Sequence, residues 1–84
     1  MKALIIGTTN TIYEVEWKEC GEETLVVMTK KAQFEGEPSD SGDKIGAKFV
    51  GERLEIHKGT VFLFKPRRKL VKTLFNVTFV NSVA

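Results

Sequence analysis

The hydrophobic positions along this chain recur every second residue over most of its length, a pattern typical of β-strands. The clearest example runs from Thr11 to Lys18, where Tyr13 and Val15 alternate with charged residues. A short apolar run at residues 3–6 precedes it, and a more uniformly apolar run at residues 24–29 follows it. Turn-forming residues separate these runs, at 7–10 and 21–22. The first half therefore predicts three strands.

Glycines constrain the strand pairing in the second half. Gly51-Glu52 suits a type II′ turn, whose first central position favours glycine. This turn predicts a hairpin that pairs Phe49 with Leu54 and Lys48 with Glu55.

Lys58-Gly59 predicts the next hairpin, which pairs Ile56 with Val61 and Leu54 with Leu63. The side chains of these four residues would then lie on the core face of the sheet.

A third hairpin has residues 65–69 as its loop and pairs Phe64 with Leu70 and Phe62 with Lys72. The predicted core face then continues through five positions: Val71, Thr73, Phe75, Val77 and Phe79. The alternative is a helix over residues 66–75, because apolar residues also recur there at helical spacing. The cations at its N-terminus and its β-branched residues favour the strand.

These runs predict one all-β domain over residues 1–84, with about six or seven short antiparallel strands joined by tight hairpins. Such a set is expected to close into a small barrel or a rolled sandwich, which removes exposed edges. At the level of fold alone it resembles SH3-like and OB-like barrels, a likeness that implies no function.

Residues 30–44 break the period-two pattern and are rich in acidic and turn-forming residues. They predict a mobile acidic surface loop, with a helical turn over residues 30–35 as a further option. Carboxylates at positions 35, 37, 40 and 43 offer oxygen ligands, but their spacing does not match a calcium loop. We therefore predict no metal site.

Charge is divided between the two halves of the chain. Residues 1–43 carry four Lys and nine Asp or Glu (4 − 9 = −5), and residues 44–84 carry nine Lys or Arg and two Glu (9 − 2 = +7). The highest concentration of positive charge is a basic cluster in and beside the third hairpin: Lys65, Arg67, Arg68, Lys69 and Lys72. Charge asymmetry of this kind indicates an anionic partner.

Two functional hypotheses follow. In the first, a non-enzymatic binding domain contacts an anionic ligand, either nucleic acid or an acidic protein, through the basic cluster. In the second, the chain is a homodimeric or adaptor-type interaction module that uses a mixed aromatic and basic sheet face. The residues assigned to this face, for base stacking or for an interface, are Phe62, Phe64, Leu70, Leu74 and Arg53. Burial of both Phe62 and Phe64 would exclude stacking and dimerisation there.

The inventory of reactive residues argues against an enzyme. His57 is the only histidine and flanks a predicted turn, and no serine has a base beside it to activate it. Cys20 is the only cysteine, which excludes an internal disulfide and fits a reducing compartment. The apolar run at residues 3–6 is too short for a secretion signal or a membrane span. We therefore expect a cytoplasmic protein with no cofactor and no membrane contact.

Overall fold

The described part of the chain folds into eight β-strands. The computed structural model describes residues 3–34, 44–65 and 69–83. The strands are β1 (Ala3–Gly7), β2 (Thr11–Cys20), β3 (Glu23–Gln33), β4 (Lys48–Gly51), β5 (Arg53–His57), β6 (Thr60–Lys65), β7 (Lys69–Phe75) and β8 (Phe79–Val83).

The strands form two antiparallel sheets. The first has the order β4-β3-β2-β1-β8 and the second has the order β5-β6-β7. The predicted all-β fold is confirmed, with eight strands among the described residues where about six or seven were expected. Among the described residues the strand pairing does not close into a barrel.

The hairpin of β2 and β3 follows the predicted alternation. Tyr13 and Val15 are fully buried, whereas Glu14 between them is partly exposed. Gly21 has a φ of 66°, a left-handed conformation that glycine adopts without steric cost, and it forms the tight turn expected at this position. Period-two hydrophobicity therefore predicts the buried and exposed positions of β2 correctly, because one face of the strand covers the core.

β3 extends further than the sequence predicts. Residues 30–33 continue the strand, so the proposed helical turn is wrong for these residues, and Lys30 is fully buried. The Lys30 Nζ donates a hydrogen bond to Gln33 Oε1 at 2.9 Å, which places a polar partner beside the charge. The central part of the predicted acidic loop, residues 35–43, lies outside the described residues.

The predicted hairpin at Gly51-Glu52 is wrong. β4 pairs with β3 and β5 pairs with β6, so Lys48 does not face Glu55. The chain instead passes from the first sheet to the second at this point. The Glu52 N–H donates to the Phe64 carbonyl at 2.7 Å, and a Cβ on the buried Gly51 would lie 2.6 Å from that oxygen. Glycine is required here by a close approach of two backbones.

The pairing of the hairpin at Lys58-Gly59 is confirmed, whereas the predicted core position of Ile56 is wrong, because its side chain is 50% exposed. Ile56 pairs with Val61, Leu54 pairs with Leu63, and Gly59 has a φ of 68°. The strand interpretation of β7 is also confirmed, so the alternative helix is wrong for residues 69–75.

A β-bulge changes the predicted register between β6 and β7. Phe64 pairs with Leu70 as expected, but Phe62 pairs with Thr73 and Leu63 pairs with Lys72, because the register shifts between Leu63 and Phe64. An extra residue in one strand moves every later side chain of that strand to the opposite face.

The core lies between the two sheets. Its fully buried residues are Ile6, Tyr13, Val15, Val26, Met28, Val61, Leu63 and Leu74. Among the positions predicted to extend the core face, Val71 and Val77 pack partly buried against it. Phe75 and Phe79 are instead 61% and 41% exposed, so their assignment to the core is wrong.

The bulge can be tested by comparing two adjacent residues. Leu74→Ala should lower the free energy of unfolding by about 2–5 kcal/mol, because it leaves a cavity in the core. Phe75→Ala should change it by roughly 0.5 kcal/mol, as for most surface substitutions. Chemical denaturation followed by circular dichroism measures both, and the reverse ranking would restore the register expected from the sequence.

The close approach at Gly51 gives a second test. Gly51→Ala should destabilise the protein by about 1–3 kcal/mol, because the new methyl group meets a backbone oxygen that cannot rotate away. Glu52→Ala is the matched control, since it keeps the backbone N–H and removes an exposed side chain. Equal denaturation midpoints for the two variants would contradict the close approach of Gly51 to the Phe64 carbonyl.

Candidate functional site

The candidate site is the solvent-facing side of the second sheet. Three rows of paired residues cross it: His57–Thr60–Phe75, Glu55–Phe62–Thr73 and Arg53–Phe64–Leu70. We call these nine residues the outer aromatic face. The other side of the same strands carries Val61, Leu63 and Leu74, which are buried in the core.

A line of contacting groups follows β6 on this face, and β5 supplies the group at each end of the line. The rings of Phe62 and Phe64 stack at 6.1 Å between centroids with an interplanar angle of 23°. The His57 ring meets Phe62 edge-on at 5.7 Å, and the Arg53 guanidinium lies 5.7 Å from the centre of the Phe64 ring. Cation–π and aromatic contacts of this kind orient flat groups at a surface.

Glu55 holds both ends of this line. Its Oε2 lies 2.5 Å from the Arg53 guanidinium, and its Oε1 lies 3.2 Å from His57 Nε2. The three side chains alternate along β5 and so share one face. The carboxylate therefore fixes Arg53 and His57 above the Phe rings, and its charge is balanced locally.

The face is open to solvent. Phe62 and Phe64 are half-buried, whereas Leu70 and Phe75 at its margin are 56% and 61% exposed. Phe62 and Phe64 are therefore not fully buried, so the condition that would have excluded base stacking or an interface on this face is not met.

The structure brings together only part of the predicted basic cluster. Lys65 and Lys69 are exposed and lie directly opposite each other at the ends of β6 and β7. Arg67 and Arg68 lie outside the described residues. Lys72 is on the inner side, 9% exposed, with its Nζ 5.0 Å from the centre of the Phe49 ring.

The bulge also revises the predicted mixed face. Phe62, Phe64, Leu70 and Arg53 lie on it together, but Leu74 is fully buried on the other side. The same shift brings Thr73 and Phe75 onto the face, where sequence reasoning did not place them. Hydrophobicity alone could not have placed Phe75 on the outer aromatic face, because a large apolar residue at a strand end is normally assigned to the core.

His57 lies beside Thr60 at the second hairpin, as predicted, and its Nε2 lies 3.2 Å from Glu55 Oε1. Within the described ranges, no three His, Cys, Asp or Glu side chains are grouped closely enough to hold a metal ion. The arrangement on this face is suited to holding flat or apolar groups by stacking.

Comparison with known proteins found no family model, no curated protein and no solved structure that matches this chain. In the part of the chain that the structure describes, no helix is long and apolar enough to cross a membrane.

Proposed function

We propose that this domain is a non-enzymatic module that binds single-stranded nucleic acid on its outer aromatic face. The observation that carries the proposal is the stacked pair Phe62 and Phe64, with Arg53 over one ring and two exposed lysines at the adjoining strand ends. Proteins that bind single strands combine aromatic platforms for the bases with cations for the backbone.

The spacing of the rows suits bases that are separated from one another. The Phe62 and Phe64 centroids are 6.1 Å apart. Neighbouring nucleotides in one strand of a duplex are about 3.4 Å apart, so an extended strand matches this spacing better. Each stacked base contributes roughly 1–3 kcal/mol, and this stabilisation depends little on sequence.

The positive charge lies at one end of the three-stranded sheet, where the alternation of side chains places Lys65 and Lys69 on the side opposite Phe64 and Leu70. Lys65 and Lys69 face each other across the β6–β7 ladder, and directly opposed like charges destabilise a sheet. A phosphate group between them would relieve this repulsion. Arg67 and Arg68 follow Lys65 in the sequence and would extend the same contact to the backbone.

A protein partner on the same face is the second candidate function. It is favoured by Leu70 and Phe75, two exposed apolar side chains that a phosphate backbone would not use. This corresponds to the homodimeric or adaptor-type role, and the affinity measurements below separate the two functions.

Binding can be measured by fluorescence anisotropy with labelled oligothymidylate and a labelled duplex at two salt concentrations. We expect tighter binding to the single strand, with log affinity falling against log salt by about 0.7 for each phosphate neutralised. Phe62→Ala should weaken binding by about 5- to 150-fold, the equivalent of roughly 1–3 kcal/mol for a lost stack.

Two substitutions elsewhere serve as matched controls. Phe34→Ala removes a ring that is 52% exposed outside the face, and it should leave affinity unchanged. Lys65→Gln should reduce both the affinity and the salt dependence, whereas Lys31→Gln, at an exposed cation of β3, should reduce neither. Absence of binding at low salt, or equal loss from the test and control variants, would reject nucleic acid as the ligand.

A further inference from the structure

Among the described strands, four lie at the edges of the two sheets, and they differ in how well they resist pairing with another strand. The edges are β4 and β8 in the first sheet and β5 and β7 in the second. An edge strand presents unpaired backbone groups, and proteins commonly protect such edges with charged side chains, proline or bulges. β8 has none of these protections, since its residues are Phe79, Val80, Asn81, Ser82 and Val83 and its pairing with β1 has no register shift.

β4 already carries an exposed lysine, Lys48, which is one of the common protections of an edge. Among the other three edges, charge decides which could pair with itself. In an antiparallel pair of identical strands, the central residue faces its own copy across a two-fold axis. Pairing β5 about its centre would oppose Glu55 to Glu55, and pairing β7 would oppose Lys72 to Lys72. Pairing β8 would oppose Asn81 to Asn81, with no charged residue in either strand.

We propose that two copies of this chain associate by antiparallel pairing of β8 with β8 about a two-fold axis at Asn81. The pairing joins two five-stranded sheets into one of ten strands and satisfies the backbone groups along both edges. Asn81 is exposed, and amide side chains opposed at the axis can hydrogen-bond to each other.

Two reasons favour a second copy of this chain as the partner that pairs with the β8 edge. The core of the described residues contains only eight fully buried hydrophobic side chains, and a core of this size gains stability from association. The β8 edge also offers no charge that would select a charged peptide. It belongs to the first sheet, whereas the outer aromatic face belongs to the second, so this proposal is independent of the proposed function.

Sedimentation velocity over a range from micromolar to submillimolar protein tests the association. The weight-average mass of the unmodified protein should rise toward twice the monomer mass. Asn81→Lys should remain monomeric, because two lysines would lie directly opposite each other on neighbouring strands, with their Cβ atoms about 5 Å apart. Thr24→Lys adds the same charge at an exposed position of β3 and should dimerise normally. A monomeric unmodified protein, or a dimer that Asn81→Lys does not weaken, overturns the proposal.

The register is tested by disulfide trapping in a Cys20→Ser background, which removes the one native thiol. In the Asn81→Cys variant, the two thiols at the axis should form an intermolecular disulfide when oxidised glutathione accepts their two electrons and two protons. Thr24→Cys in the same background should give no comparable dimer. Equal cross-linking of the two variants would show collision without the proposed pairing and would reject the register.

Discussion

The architecture depends on the close contact between the backbone at Gly51-Glu52 and the carbonyl of Phe64. At this point the chain leaves the first sheet and enters the second, and a hydrogen bond of 2.7 Å connects the two. A side chain on Gly51 would occupy the space that the carbonyl fills. Because β5 is held beside β6 in this way, Arg53 comes to lie next to Phe64.

The outer aromatic face is the combined result of that contact and of the bulge beside it. The bulge turns Leu74 inward to complete the core and turns Phe75 outward. Glu55 then orders the polar end groups on either side of the ring pair. Stability and binding are therefore served by opposite sides of the same three strands, so a substitution on the outer side can change recognition without opening the core.

Much of the fold follows from local patterns in the sequence. The alternation around Tyr13 predicts a strand correctly, and the Lys58-Gly59 turn predicts a hairpin with the correct pairing. The prediction at Gly51-Glu52 is wrong for a tertiary reason. Its local turn signal is that of a hairpin, whereas the glycine is required by a backbone that is distant in sequence.

The site is less predictable than the fold. A bulge adds one residue and leaves no distinct signature in composition, yet it decides which of Leu74 and Phe75 is buried. A β6–β7 pairing without the bulge would expose Lys72 and bury Phe75, which is the arrangement that the hydrophobicity of these two residues favours. The structure instead buries Lys72 with its ammonium group over the Phe49 ring, a contact between strands that no local pattern encodes.

The pairing of β8 with β1 has a consequence for the order of folding. The hairpins of β2 with β3 and of β5 with β6 close over short loops, but β1 and β8 lie at opposite ends of the described chain. A contact such as that between Thr78 and Gly7 spans 71 residues, and closing so long a loop costs more conformational entropy than closing a hairpin. The local hairpins are therefore expected to form first, and the docking of β8 to set the rate at which the first sheet is completed.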